Sequence, residues 1–287
     1  MINWNPTFIK DAMKISNLEI AVKLITTIDP RGWPHTSLIA FNRAKTEKEV
    51  VWGQFTEGKT KKHVFDNPKQ GLLFMTAEMP FKFVQAKVKF VDTMLGGEDC
   101  EYFSRLPMLR YATYFNVWRA FYNEVIAVSD VRDLGLIGIL KGIIVNLIGK
   151  GGAKSKITDV KLQDFGINLV NGPINPKFIS YIDPSDGFPM TIPCFQIRAP
   201  DPSKLIFTLS QFKEDLLQIP EESKIAVYAL NMELENQLIN GTFTGFQKFR
   251  GIKYGIIEID EIYNSMPPFP GVIYPELQVR QKVISFE

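Results

Sequence analysis

This sequence of 287 residues contains few cysteines and histidines, and its net charge is small. It has two cysteines, Cys100 and Cys194, and two histidines, His35 and His63, which are too few for a structural zinc site or a disulfide scaffold. With 33 basic and 31 acidic side chains, the formal net charge is only +2. No global field therefore attracts nucleic acid or an anionic membrane, and any anion site must be local.

The sequence also lacks a long uninterrupted apolar run. The apolar stretch at residues 134–148 is interrupted by Lys141 and has about 15 residues, whereas a membrane span needs about 20. A packed or interfacial helix is favoured there over a membrane-seeking one. Met1 to Pro6 lack the basic and apolar regions of a signal peptide, so the expected location is the cytoplasm.

An internal repeat organises the chain. Four pairs of segments match: 23–30 with 177–184, 32–36 with 187–191, 50–52 with 205–207, and 83–86 with 238–241. The first pair is identical at five of eight positions, and its register is 154 residues, whereas the other three pairs share a register of 155. Chance seldom keeps one register over several separate segments, so the pattern predicts a duplicated unit.

Each copy has the pattern of a small β-structure. Asp-Pro followed by Gly, between two apolar runs, predicts a hairpin turn, because Pro presets φ and Gly supplies a positive φ. A short helix is predicted over 57–66 in the first copy, ending at Asn67-Pro68. Six short antiparallel strands with one small helix favour a closed barrel, which protects its own edges. The fold class is therefore mostly β.

Three segments lie outside the repeat. A helix is predicted over residues 6–17, where apolar residues recur at helical spacing. The first copy carries an insertion at 92–120 that is dense in aromatic residues, and the apolar connector follows. The predicted boundaries are 1–130 for the first barrel, 131–173 for the connector and 174–287 for the second, degenerate barrel.

The two copies differ in charge after their third strand. Residues 56–69 hold four lysines and two acids, whereas the counterpart at 211–224 holds two lysines and four acids. Lysines, hydroxyls and free backbone N–H groups at a helix start suit a phosphate group. Lysine clusters also occur on solvated helix faces, and composition alone leaves that alternative open.

These motifs together resemble a known family. The run at 28–37 (IDPRGWPHTS), the strand ending in Trp52-Gly53-Gln54, the Lys/Thr-rich turn and Asn67-Pro68 are similar to the pyridoxamine 5′-phosphate oxidase-like, FMN-binding split-barrel superfamily. The resemblance covers most of 15–91 and, more faintly, 174–263. It implies two tandem split barrels that form a pseudo-dimer within one chain, since family members are typically homodimers with flavin sites at their interface.

The resemblance also assigns residues to an FMN site. Along the flavin ring it places Thr36, Ser37 and Leu38; near the ribityl chain or phosphate, Gln54 and Thr56; and at the phosphate, Lys59, Thr60 and Lys61. The family's usual lysine falls on Thr60, so Lys59 or Lys61 is the substitute. Repeat two offers Ser210, Gln211 and Lys213 at the same place, and one retained site is expected.

Aromatic residues could cover the flat ring, and Trp33, Tyr111, Tyr114 and Trp118 are the candidates, although aromatics at this density also form cores. Arg110 is a candidate for binding an anionic substrate, or for a surface salt bridge. His35 could act as an acid, base or haem ligand, or be an ordinary hydrogen-bonded side chain. The cysteines fit buried, small apolar positions, and no metal site is expected.

The resemblance therefore implies an FMN-dependent oxidoreductase that passes a hydride or electrons between a reduced donor, such as NAD(P)H, and a small acceptor. An alternative is a non-enzymatic protein that binds or senses a flavin, deazaflavin or haem. A third is a barrel scaffold without a ligand, whose connector engages a partner. Further homodimerisation is compatible with all three.

Overall fold

A computed structural model describes residues 2–54, 58–107, 116–135, 137–139, 142, 144–145, 159–265 and 270–276. The chain forms two compact units. The first unit comprises Met1–Leu136 and Ser180–Thr191, and the second comprises Ile137–Ile179 and Ile192–Glu287. A short stretch from the second half of the sequence thus belongs to the first unit.

The first sheet is antiparallel. Its strands are β1 (Trp4–Asn5), β2 (Ala21–Ile28), β3 (Pro34–Leu38), β4 (Asn42–Ala44), β5 (Glu49–Gln54), β6 (Lys69–Thr76), β7 (Lys82–Leu95), β8 (Arg119–Ser129) and β9 (Arg132–Asp133). Seven of them follow the order β3-β2-β6-β7-β8-β5-β4, while β1 pairs with β8 and β9 pairs with β7. The helices in this part of the sequence are α1 (Lys10–Ser16), α2 (Lys59–Asp66) and α3 (Glu98–Ser104).

The second sheet repeats the first in its strand order. Its strands are β10 (Lys177–Ile182), β11 (Pro189–Pro193), β12 (Arg198–Asp201), β13 (Lys204–Thr208), β14 (Ser223–Leu230), β15 (Asn236–Phe249), β16 (Ile252–Asn264) and β17 (Gly271–Tyr274), and its helices are α4 (Asp164–Asn171) and α5 (Lys213–Leu216). The order β11-β10-β14-β15-β16-β13-β12 matches the first sheet strand for strand. The predicted mostly β fold is confirmed, and a tandem duplication would produce this match.

The core of the first unit combines apolar packing with one buried polar chain. The rings of Trp52 and Phe121 stack with centroids 3.8 Å apart. Trp52 donates its indole N–H to Gln70 at 3.2 Å, and Gln70 donates to Asn123 at 2.6 Å. Asn123 then donates to the backbone oxygens of Val50 and Phe121. These bonds compensate for the burial of the amides, which would otherwise destabilise the core.

The two Asp-Pro turns explain the change in repeat register. In the first copy, the Asp29 carboxylate accepts two backbone N–H groups at 2.9 and 2.8 Å, and Gly32 has a φ of +79°. In the second copy, Asp183 and Asp186 each accept a backbone N–H, and Gly187 has a φ of +72°. Glycine adopts such a positive φ without strain. The second turn is one residue longer, which converts a register of 154 into 155.

Helix α1 is shorter than the sequence predicts, because it begins at Lys10 and not at Pro6. The residues before it are used differently: Trp4 and Asn5 pair with β8, and Ile9 has an extended backbone with a ψ of 161°. Phe8 is nevertheless buried in the core. The apolar periodicity correctly predicted that Phe8 and Ala12 are buried, whereas Ile9 is 40% exposed, and the Phe8 backbone N–H donates to the Glu47 carbonyl oxygen before the helix begins.

Four hydroxyls form a closed ring in the first unit. The successive oxygen separations are 2.9 Å for Thr26–Thr36, 2.8 Å for Thr36–Ser180, 2.9 Å for Ser180–Thr191 and 2.8 Å for Thr191–Thr26. Because a hydroxyl has one donor and two acceptor positions, each member can donate to one neighbour and accept from the other. The ring therefore fixes strands β2 and β3 against residues about 150 positions away in sequence.

A buried lysine adds a second anchor for the same stretch. The ammonium of Lys87, which is 6% exposed, lies 3.0 Å from Asp183 and 2.6 Å from Asp186. Burial opposes the ionisation of Asp183, but hydrogen bonds from Ser185 and Lys87 outweigh it and lower the pKa of that carboxyl. Residues 180–191 are thus held to the first unit by ionic as well as hydroxyl contacts.

In the described part of the insertion, one carboxylate anchors α3. Asp99 on α3 is buried and lies 2.9 Å from Arg43 and 2.6 Å from Lys45, and Tyr122 donates to it at 2.9 Å. Burial opposes the ionisation of Asp99, but the hydrogen bonds from Lys45, Arg43 and Tyr122 outweigh it and lower the pKa of the carboxyl. Asp99 therefore pairs with both cations and attaches α3 to the sheet.

The apolar connector lies partly within the described residues, and those at 137–139, 142 and 144–145 are helical. Among the helices that the structure describes, none combines the length and the apolar composition needed to cross a bilayer. Cys100 and Cys194 are both free and buried.

Candidate functional site

The start of α2 exposes an unusual set of groups. The helix begins at Lys59 after Gly58, whose extended backbone offers no side-chain cap, and the first turn contains no acidic residue. The first N–H groups of a helix have no partner within it, and they carry the positive end of the helix dipole. An anion would satisfy both conditions. Thr56 lies outside the described residues.

Lys61 adds positive charge at the same end. Its ammonium lies 3.4 Å from the point that a Cβ on Gly58 would occupy, so the side chain reaches back over the helix start. Lys59 and Lys61 are both half-buried, whereas Lys62 is exposed. The two lysines named in the resemblance are therefore set apart from an ordinary solvated face.

The opposite face of α2 holds the helix on the hairpin β2–β3. Thr60, His63 and Val64 are buried, as the i, i+3, i+4 spacing of one helix face requires. The Thr60 hydroxyl lies 2.9 Å from that of Ser37. Thr60 and Ser37, both predicted site residues, are thus brought into direct contact with each other, and Lys59 and Lys61 flank Thr60 at the helix start.

The two histidines meet under this helix. The Thr27 hydroxyl lies 3.1 Å from Nδ1 of His63, and the rings of His35 and His63 are perpendicular with centroids 5.0 Å apart. Burial lowers the pKa of His35 well below its usual value, and the charges of His63, Lys59 and Arg31 lower it further. Burial also lowers the pKa of His63, although Asp29 partly opposes this. Both imidazoles are therefore neutral at neutral pH.

The histidine contact is the part of the site that sequence reasoning missed. The helix predicted over 57–66 contains His63, as the structure confirms, but no sequence pattern pairs His63 with Thr27 or His35. The available signal was the helical spacing from Thr60 to His63, which assigns both to one face. Among the described residues, no group of three or more His, Cys, Asp and Glu side chains is placed to hold a metal ion.

The remaining predicted residues occupy several positions. Thr36 belongs to the hydroxyl ring, Leu38 is half-buried at the end of β3, and Gln54 is buried at the end of β5, opposite Arg119. The Trp33 backbone N–H donates to Asp29 in the turn. Trp118 is 41% exposed, and the Arg119 guanidinium lies 4.8 Å from its ring centre. Besides Thr56, three other predicted residues lie outside the described part of the chain: Arg110, Tyr111 and Tyr114.

The second copy has a different structure at the corresponding turn. Helix α5 has only four residues and begins after Phe212, a non-glycine residue with a φ of +50°. Its first turn contains Glu214 and Asp215, which repel an anion at the helix start. The predicted charge difference between the copies is therefore accompanied by a difference in helix length and geometry.

Several solved structures are similar to parts of this chain. No protein-family model and no curated protein matches it. Similar solved structures include an FMN-binding protein from Syntrophomonas wolfei subsp. wolfei, with 15% identity and a TM-score of 0.35, over 43% of this chain and 84% of that one. They also include HupZ of Group A Streptococcus, with 16% identity and a TM-score of 0.34, over 44% and 94%.

A third similar structure is an F420 reductase, with 12% identity and a TM-score of 0.35, covering 42% of this chain and 98% of that one. Each of these matches spans less than half of the present chain.

Proposed function

We propose that the first unit binds FMN non-covalently, with the phosphate at the start of α2, and that the protein is an oxidoreductase. The observation that carries this proposal is the position of Lys61, whose ammonium reaches back over an uncapped helix start. Backbone N–H groups and lysine ammoniums form strong charge-assisted hydrogen bonds to phosphate oxygens. Among ordinary cofactors of split barrels, FMN supplies such a phosphate.

Each group at the site has a proposed task. Lys59 and Lys61 bind the phosphate together with the first backbone N–H groups of α2. The Ser37–Thr60 contact and the Thr27–His63 contact hold α2 in place, so that these donors keep a fixed geometry and lose little freedom on binding. Thr36, Ser37 and Leu38, on β3, would lie along the flavin ring. Gln54 and Thr56 would lie near the ribityl chain.

Bound FMN would supply the hydride and electron chemistry, while the protein would provide orientation and exclude water. The described part of the site offers neutral, buried imidazoles and no nucleophile poised for covalent catalysis. Trp33 and Tyr111 would cover the ring. The proposed reaction is transfer of a hydride or electrons from a reduced donor, such as NAD(P)H, to a small acceptor.

The proposal is tested by reconstituting the full chain with FMN, removing unbound flavin by gel filtration, and adding NADH or NADPH without oxygen. We expect one FMN per chain, a flavin absorbance band that bleaches with one of the two donors, and recovery of that band in air. A flavin that stays bound but bleaches only with dithionite would contradict the enzyme and support the flavin-binding alternative. A chain that does not bind FMN would contradict both the enzyme and the flavin-binding alternative.

A further inference from the structure

The connector helix lies against Ser210 and Gln211. In the second copy, these residues correspond to the turn before α2, where the first copy has its proposed phosphate site. Ser210 and Gln211 follow β13 as residues 55 and 56 follow β5, because the repeat register there is 155 and the two strands occupy the same place in their sheets. Gly138 lies close to Ser210 and Gln211, since a Cβ on that glycine would be 3.4 Å from the Ser210 carbonyl oxygen.

Gly142 makes the closest approach, one helical turn further along. A Cβ at this position would be 2.4 Å from the Ser210 hydroxyl and 2.8 Å from Cβ of Gln196. Real side chains do not approach so closely, so only glycine permits this close packing of the helix against the turn. Tyr254 adds a directional contact, because its hydroxyl donates to the backbone oxygen of Val145 at 2.9 Å.

Among the described side chains of the connector, Ile137 and Ile144 do not take part in this contact through burial. Ile137 is 85% exposed and Ile144 is 60% exposed, whereas Ile139 is buried. The contact is instead made by the face that carries the two glycines, where helix backbone and turn meet directly. The turn beneath is itself fixed, since Gln196 donates to the backbone oxygens of Thr208 and Gln211 at 3.2 and 3.3 Å.

We infer that the connector helix covers the turn at Ser210 and Gln211 in the second copy, so that the chain's own backbone lies where the phosphate of a second cofactor would bind. This inference rests on the proposed function for the meaning of that turn. It limits the chain to one flavin, because the second turn is covered by the helix as well as acidic. It also gives the connector a role within the second unit.

Two single substitutions test the inference with a matched control. Gly142→Ala has no room for its methyl group, whereas Gly138→Ala has ordinary contact distances, and both gain the same helix propensity. The measurement is amide hydrogen exchange. We expect the exchange rates of residues 205–212 to be about tenfold or more higher in Gly142→Ala than in Gly138→Ala. Tyr254→Phe should speed exchange in the same segment to a smaller degree, which keeps the test valid if Gly142→Ala folds poorly.

FMN titration of the unsubstituted chain provides the second measurement. We expect a single binding event, with unchanged affinity in Gly142→Ala, because Gly142 belongs to the second unit. Equal exchange in the two glycine variants, with no effect of Tyr254→Phe, would overturn the inference whatever FMN does. Two FMN molecules per unsubstituted chain would overturn it while leaving the proposed function intact. If no FMN binds at all, the proposed function fails, and the exchange comparison still decides whether the connector closes the turn.

Discussion

Replacing Lys59 and Lys61 together by Glu is expected to weaken FMN binding by about 100-fold or more. Each lysine contributes a charge-assisted hydrogen bond, which typically contributes about 1.5–3 kcal/mol, and a factor of ten in affinity corresponds to about 1.4 kcal/mol. The glutamates would also repel the phosphate at the start of α2. Fluorescence titration with FMN measures the change.

A charge-matched control is available on α1. Lys10 and Lys14 are both exposed, so Lys10→Glu with Lys14→Glu changes the net charge of the first unit by the same amount, away from α2. We expect this control to change FMN affinity by less than about threefold, because exposed charges at a distance are screened by salt. Equal losses in the two double variants would show that the lysines act only through overall charge.

Gly71→Ala is expected to destabilise the first unit by about 3 kcal/mol. Gly71 lies on β6, and a Cβ there would be 2.1 Å from the backbone oxygen of Pro189. A backbone oxygen cannot turn aside as a flexible side chain can. Either β6 or the stretch Ser180–Thr191 must therefore move, which would also disturb the hydroxyl ring.

Urea unfolding followed by tryptophan fluorescence measures this effect selectively. All four tryptophans, at positions 4, 33, 52 and 118, lie in the first unit. Lys69→Met is the control, because Lys69 reaches the same stretch through a hydrogen bond to Asp186 and through the Phe188 ring but leaves the backbones undisturbed. An exposed contact of this kind contributes about 1 kcal/mol or less. A Gly71→Ala loss no larger than that of Lys69→Met would contradict the close approach.

The sequence predicted the local elements well, because turns and strands depend on neighbouring residues. The Asp-Pro turns, with Gly32 and Gly187 at positive φ, and the end of α2 at Asn67 all follow from short-range rules. The repeat also predicted two sheets of one type. By contrast, no local rule indicates that Ser180–Thr191 groups with the first unit, because that grouping depends on contacts between residues about 150 positions apart.

The candidate site was predictable to the level of its charged turn. The four lysines of the first copy and the acidic excess of the second copy are visible in the sequence, but the choice among Lys59, Thr60 and Lys61 is not. The helix start at Lys59 separates them, since it turns Thr60 inward toward Ser37 while Lys61 reaches over Gly58. A one-residue shift of that start would exchange these roles. The inward contact of His63 likewise needed three-dimensional packing.

The most direct test of a phosphate-binding α2 compares FMN with riboflavin, which has the same ring and ribityl chain but no phosphate. Isothermal titration of the unsubstituted chain with both ligands at one ionic strength isolates the contribution of the phosphate. We expect FMN to bind at least about 100-fold more tightly than riboflavin. This preference should disappear when Lys59 and Lys61 are both replaced by Glu. Equal affinities for the two ligands in the unsubstituted chain would contradict a phosphate site at the start of α2.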